Sequence, residues 1–409
     1  MALDAIGPHA VTALLDWYST LQLREYRRIF RATDEAGQLD NVPRRFAWFR
    51  RVTKQHEEEH SAGFLPQWHT ARALTGRFAD ITREDLKSVL IREKQRLQVT
   101  ILLEALGATL EYEQQTAKRF NVPFADIIAS NPKPVTAVPS GITLATQQPP
   151  DNISSVFEPY LGLFVEAQDK ALSELMTNYR RQGATIPRPS EDQQASATND
   201  PQQQQQQHHT VLPSSTELFY FYRQTLEQCA RLSNREPFRD LFFVFRRYLG
   251  AYADDVLRAA LFRQDFPGAS RRSTSTDTRL NINELQKWAL VLNTAEYCAN
   301  TCAQLEQRLV EKMHPDFKQG VSLDTEREGF LAIVSATIQV LTRELEFSLD
   351  PAFHKMMRPA VPWSQLSEVH GKSEYTDDLA SALEAVAVVV RQDVENKRYL
   401  RNWCDKVVK

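Results

Sequence analysis

Glycine is scarce: 13 in 409 residues, under half the usual ~7%. Little glycine disfavours all-β folds with many tight turns. It also leaves little material for loops that cradle phosphate. Four cysteines in a chain of this length make no disulfide framework, so a reducing compartment is expected. Neither sign of charge dominates. Forty-nine Lys and Arg stand against 52 Asp and Glu, a net charge of -3, which argues against a dedicated nucleic-acid binder. Long hydrophobic runs are missing too. The longest clean aliphatic stretch, Ala385 to Val390, is far short of the ~20 residues a bilayer crossing needs. Asp4, Pro8, His9 and Asp16 interrupt the N-terminal apolar stretch and no basic segment precedes it, so it does not read as a secretory signal. The expectation is a soluble cytosolic chain that reaches membranes only through partners. At roughly 150 residues per domain, the length suggests two or three packing units.

What is present is helical periodicity. Trp288, Val291, Ala295, Cys298, Cys302, Leu305 and Leu309 are spaced alternately three and four apart, which keeps one helix face apolar. Leu331, Val334, Ile338, Leu341 and Leu345 repeat the pattern. So do Phe157, Leu161, Phe164, Gln168, Ala171 and Leu175, with one polar interruption. Shorter stripes run through Val11, Leu14, Tyr18 and Leu21; Val99, Leu103, Leu106 and Leu110; and Leu379, Leu383, Val386 and Val390. Thr82 with Asp85, and Ser214 with Glu217, read as capping boxes opening helices. Pro43 suits a first helical turn. Helices are expected near 10–32, 42–60, 67–79, 83–120 (with a break near Lys94 to Gln98), 153–182, 214–233, 236–264, 282–313, 326–347 and 376–408.

This gives an N-terminal helical bundle over 1–120, a Pro-rich linker or loop over 121–152 and a long helix over 153–182. A Gln-rich disordered insert follows over 183–213, with six glutamines from Gln202 to Gln207 that cannot offset the entropy of ordering. A central helical bundle covers 214–348, a loop 349–375, and a C-terminal helix 376–409. The fold class expected is all-α, an elongated rod of stacked antiparallel helical bundles. A compact chain of this length would have a radius of gyration near ~22 Å, and scattering should exceed that. No fixed-period repeat marks a tetratricopeptide or ankyrin array.

The sharpest chemical signal is His56-Glu57-Glu58-Glu59-His60. In such a helix two His four apart can hold Zn²⁺, with Glu57 as general base. Its polar flanks, Thr53, Lys54, Gln55 and Ser61, and its three consecutive Glu favour a solvated helix end instead. Cys298 and Cys302 lie on the apolar stripe and read as core; Cys229 and Cys404 are isolated and support no functional reading. Arg44, Arg45, Arg50 and Arg51 flank Phe46, Trp48 and Phe49. Such interleaving can stack on single-stranded nucleic acid. The acidic run that follows, and the one-face spacing of Phe46 and Phe49, favour core aromatics with Arg stems along the rim. Arg271-Arg272-Ser273-Thr274 resembles a basic-directed kinase site at Thr274, and His208-His209 reads as inert. No Ser-His-Asp arrangement, phosphate loop or dinucleotide fingerprint is found. The residues by themselves therefore describe a long-helix scaffold with no catalytic, cofactor-binding or metal residue.

Several segments carry a resemblance. They are Leu15-Asp16-Trp17-Tyr18 with Leu21-Gln22-Leu23-Arg24-Glu25-Tyr26-Arg27-Arg28-Ile29-Phe30; Asp34-Glu35-Ala36-Gly37-Gln38-Leu39-Asp40-Asn41 running into Arg44-Arg45-Phe46-Ala47-Trp48-Phe49; Glu158-Pro159-Tyr160-Leu161 leading to Glu166-Ala167-Gln168-Asp169-Lys170 and Leu172-Ser173-Glu174-Leu175; Val211-Leu212-Pro213-Ser214; and Leu292-Asn293-Thr294-Ala295-Glu296-Tyr297-Cys298. In order, from about residue 11 to about 350, the chain resembles the vacuolar protein sorting-associated protein 53 family, subunits of the Golgi-associated retrograde protein complex. The resemblance implies a non-enzymatic subunit of a helical-rod tether, without cofactor. It implies retrograde transport of endosome-derived carriers to the trans-Golgi network, and endosomal recycling through a related assembly. The implied partners are the other subunits of the Golgi-associated retrograde protein and endosome-associated recycling protein complexes, SNARE proteins and a Golgi small GTPase, with no nucleic acid. The implied location is cytosolic, peripheral on trans-Golgi network and endosome membranes. Family members carry an N-terminal coiled-coil portion and a C-terminal rod that lie outside this sequence, so the chain reads as a partial product or truncated isoform. Two alternatives stand beside this: a rod subunit of the exocyst or conserved oligomeric Golgi type, and, remotely, a zinc hydrolase through His56, Glu57 and His60.

Overall fold

The computed structural model describes residues 8–129, 152–183, 210–261, 282–358 and 371–408. Every regular element among them is helical, so the fold class is all-α. The helices are α1 (Pro8–Gln22), α2 (Arg24–Ile29), α3 (Val42–Gln55), α4 (Thr70–Glu93), α5 (Val99–Phe120), α6 (Phe124–Ala129), α7 (Gly162–Gln182), α8 (Pro213–Leu232), α9 (Glu236–Tyr252), α10 (Ile282–Lys312), α11 (Asp324–Met357), α12 (Glu374–Asp393) and α13 (Lys397–Val408). The chain divides into two compact units, one of Met1–Ala167 with Arg231–Ser233 and one of Gln168–Ala230 with Asn234–Lys409.

The first unit is held by an aromatic core. Phe46 and Phe49 are three apart on α3, so both face inward. Phe46 stacks on Tyr112 of α5 with centroids 4.3 Å apart. Phe49 stacks on Phe78 of α4 at 3.9 Å. Each such ring contributes about 1.5–3 kcal/mol through burial. Pro43 sits in the first turn of α3, where its missing N–H costs nothing. Asn121 ends α5 in the left-handed region, φ 53°, which its short polar side chain tolerates. The break foreseen near Lys94 to Gln98 falls between α4 and α5.

The second unit is built on α10, and α11 and α12 pack against it. The whole stripe from Trp288 to Leu309 is buried. α10 ends in a short 3-10 turn, Pro315–Phe317. In the stripe of α11, Val334, Ile338, Leu341 and Leu345 are buried, but Leu331 is exposed and Phe330 takes the inward place. Leu21 and Leu383 are likewise exposed.

Several sequence expectations are corrected. Thr82 and Asp85 do not open a helix; they lie inside α4, and their polar groups serve buried partners described below. Ser214 lies in the first turn of α8 and bonds to the Tyr252 hydroxyl at 2.8 Å, so it is not a box residue. The loop placed at 349–375 begins later, because α11 runs through Pro351 to Met357. Pro351 and Phe347 are exposed, so water can reach the Phe347 carbonyl that the proline leaves without a donor. The single helix over 376–408 is two, interrupted at Val394–Asn396. The long helix of 153–182 begins at Gly162, after a 3-10 stretch Ile153–Tyr160. Residues 130–151, the Gln-rich run with His208 and His209, and Arg271 to Thr274 lie outside the described residues.

Candidate functional site

In the first unit the polar centre is Arg45, 0% exposed. Its Nη1 donates to the Tyr26 hydroxyl at 2.8 Å and to Asp85 at 3.2 Å. Its Nη2 donates to the Gly37 carbonyl at 2.8 Å. The Tyr26 hydroxyl also shares a hydrogen bond with Thr82 Oγ1, 2.7 Å away. The rings of Phe30 and Tyr26 lie 5.4 and 5.7 Å from the guanidinium carbon, a cation–π arrangement. Burial raises the Asp85 and Tyr26 pKa values, against the lowering effect of Arg45. The sequence reading placed Arg45 on the rim, and that is corrected. Val42, Arg45, Phe46, Phe49 and Thr53 form one buried face of α3, and their three- and four-residue spacing was the available signal.

The loop before α3 is shaped to deliver that carbonyl. Gln38 Nε2 donates to the carbonyls of Ala32 and Asp34 at 3.2 and 3.0 Å. Asn41 Nδ2 donates to Glu35 O at 2.9 Å. A Cβ on Gly37 would lie 1.8 Å from the Arg31 carbonyl oxygen, so only glycine fits.

Glu57, Glu58 and Glu59 are exposed, as expected of a solvated helix end, and His60 is half-buried, but His56 turns inward, which corrects the expectation for that residue. After Gln55 the backbone widens into a π-helical turn, His56–His60. His56 is 4% exposed. The Tyr18 hydroxyl lies 2.7 Å from His56 Nδ1 and 3.0 Å from His60 Nδ1. One hydroxyl proton cannot serve both nitrogens, so one imidazole accepts from Tyr18 and the other donates to it. Burial, then the neighbouring His60, lower the His56 pKa. Glu57 pairs with Arg119 of α5, and Arg119 also donates to Thr53 Oγ1 at 3.2 Å. The groups that zinc hydrolysis would need are thus engaged with one another or with α5. No cluster of three or more His, Cys, Asp or Glu able to hold a metal is found among the described residues.

Glu113 on α5 was not singled out by sequence. It is buried, and its carboxylate accepts from Ser154 N and Ser154 Oγ, both at 2.8 Å. It thereby caps the 3-10 stretch that carries Glu158, Pro159 and Tyr160. Desolvation raises its pKa from 4.5 to about 7.

The second unit uses its signature residues the same way. Asn293 Nδ2 donates to Asp393 O at 2.8 Å, and its Oδ1 accepts from Glu395 N at 3.2 Å. Asn396 bonds to Glu296 one turn along α10. These bonds clamp the interruption between α12 and α13. Thr294 Oγ1 accepts from Leu212 N at 2.9 Å and donates to Leu290 O at 2.7 Å, which fixes the entry to α8. Asp169 accepts from Arg247 and, at 2.6 Å, from the Tyr248 hydroxyl. Cys298 and Cys302 are both buried, and burial pushes the Cys302 thiol up to about 12. An un-ionised thiol is a poor nucleophile or metal ligand.

The buried polar residues of the signature segments, Arg45, Asn293 and Thr294 among them, are therefore consumed in holding helices together. What remains available is surface. Trp17, Ile91, Tyr220, Phe243 and Met357 are each more than half exposed. Among the described residues no helix is long and apolar enough to cross a membrane.

Comparison with known proteins points to the same family. Residues 1–183 match the family described as "Vps53, N-terminal". The chain is 26% identical over 447 residues to vacuolar protein sorting-associated protein 53 A of Arabidopsis thaliana, covering 100% of this chain and 51% of that protein. It is 27% identical to the homologue from Caenorhabditis elegans, covering 96% of this chain and 46% of that one. It is 29% identical to the protein from Saccharomyces cerevisiae, covering 73% and 31%. The chain spans about half the length, or less, of these curated relatives. Residues 1–183 thus match the N-terminal model of the vacuolar protein sorting-associated protein 53 family, and the chain is similar over its whole length to proteins of that name.

Proposed function

We propose that this chain is a non-catalytic subunit of a multisubunit vesicle tether acting in retrograde transport from endosomes to the trans-Golgi network and in endosomal recycling. It works by presenting helix faces to the other subunits of the Golgi-associated retrograde protein and endosome-associated recycling protein complexes. SNARE proteins and a Golgi small GTPase are the further partners, and the assembly promotes SNARE-mediated fusion. The chain is peripheral on trans-Golgi network and endosome membranes, held there by its partners. It uses no cofactor and binds no nucleic acid.

One observation carries this reading. The buried polar residues Arg45, Asn293 and Thr294 of the signature segments spend their hydrogen bonds inside the fold. A site that acted on a substrate would leave some of them facing an open cavity. The test is affinity capture of the tagged chain from cells, with the co-purifying proteins identified by mass spectrometry. Recovery of the other tether subunits is the expected result. Recovery of exocyst or conserved oligomeric Golgi subunits in their place would move the chain to another tether, and recovery of neither would end the tether reading.

A further inference from the structure

The first unit carries an open groove of about 570 Å³ between the end of α2 and α4. Its lining includes three arginines, Arg27, Arg31 and Arg77, and three carboxylates, Asp80, Glu84 and Asp85. The two sets are not equivalent. Asp85 is committed to Arg45 at 3.2 Å. Asp80 and Glu84 lie 3.7 and 3.9 Å from Arg83. Arg77 lies 3.7 Å from Asp16. Arg27 and Arg31 are exposed; Arg27 acts on Asp85 electrostatically, and neither arginine makes a close ion pair among the described residues. The groove therefore offers two exposed guanidinium groups without a close ion pair, beside acids that already have closer partners. Ala32 and Ile81 add an apolar part to the lining.

We propose that this groove docks an acidic segment of a partner protein, whose carboxylates pair with Arg27 and Arg31 while an aliphatic side chain rests on Ala32 and Ile81. A carboxylate matches the guanidinium fork, and two such pairs fix the register of a short segment. A polyanionic nucleic acid backbone fits less well, because its unbroken row of phosphates would also meet Asp80 and Glu84. A peptide can place its acids one by one. A flat lipid surface does not enter a concave groove. The inference rests on the reading of the chain as a docking subunit and names the chemistry of one partner.

The experiment places photo-crosslinkable benzoylphenylalanine at Thr33, which lines the groove, in the full chain expressed in cells. Crosslinked peptides are sequenced after irradiation. The expected result is a crosslinked segment rich in Asp and Glu, with a yield reduced about tenfold in Arg27→Glu/Arg31→Glu, as loss and reversal of two ion pairs implies. The neutral pair Arg27→Gln/Arg31→Gln should show an intermediate yield. Both arginines are exposed, so circular dichroism should show the variants folded. A yield unchanged by charge reversal, a crosslink to lipid, nucleic acid or a segment without acids, or no crosslink would overturn the proposal. Affinity capture of the same variants separates the two ideas. Tether subunits retained while the crosslink fails would sink the groove alone, whereas loss of every subunit from the unsubstituted chain would sink the functional reading.

Discussion

Replacing Glu113 by glutamine should remove one pH-dependent contribution to the stability of the first unit. The carboxyl is buried against Ser154, and desolvation raises its pKa from 4.5 to about 7. A raised carboxyl pKa means that the folded state holds the proton more tightly than the unfolded state does. The stability linked to this group is therefore fully present below about pH 4.5 and lost as pH rises through about 7. A displacement of that size corresponds to about 3 kcal/mol between the two limits. In Glu113→Gln the amide oxygen can still accept from Ser154 N, and the amide nitrogen can donate to Ser154 Oγ. The hydrogen bonds survive and the buried charge does not. Urea denaturation of wild type and variant from pH 4.5 to pH 8 gives the difference at each pH. Taking the difference cancels the titrations common to both chains. The variant should gain on the wild type by about 3 kcal/mol across that range. Hydrogen exchange at amides 153–160 should locate the change. A flat difference would refute the reasoning. So would a wild type that gains with pH, because the two Ser154 bonds would then outweigh desolvation and hold the carboxyl below its ordinary value.

Three further outcomes follow from the same geometry. Arg45→Ala strips Asp85, Tyr26 and the Gly37 carbonyl of a shared partner and should destabilise the first unit by about 3–5 kcal/mol, read from urea midpoints. Asn293→Ala should cost about 1–3 kcal/mol and speed amide exchange at 394–400, where the clamp on α13 is released. His56 has a lowered pKa through burial and His60, so the unfolded chain takes up its proton first. Stability should fall as pH drops below about 6.5, and that fall should shrink in His56→Gln.

The helices were legible because burial of one face imposes a period that the residues must obey. The stripe from Trp288 to Leu309 is the plainest case, and its two cysteines followed from it. The polar interior was far less legible. Thr82 and Asp85 have the spacing of a helix start, and nothing local reveals that Tyr26 and Arg45 are waiting for them. The interruption before α13 has no local signal, because its hydrogen bonds come from Asn293, about a hundred residues away. The inward turn of His56 meets Tyr18 of α1, a partner that the polar local sequence does not announce. Arg45 is the instructive middle case. Its position on the α3 stripe gave the burial, while its charge pointed the other way. Charge is a poor guide where a buried carbonyl, a phenol and a carboxylate converge on one guanidinium.

The most direct measurement is reconstitution of the purified chain with the purified subunits of the proposed retrograde tether, followed by mass photometry of the mixture. A stoichiometric assembly containing this chain, formed without any added cofactor or turnover, is the result expected of a docking subunit. A chain that stays free of every subunit at micromolar concentration would contradict that role.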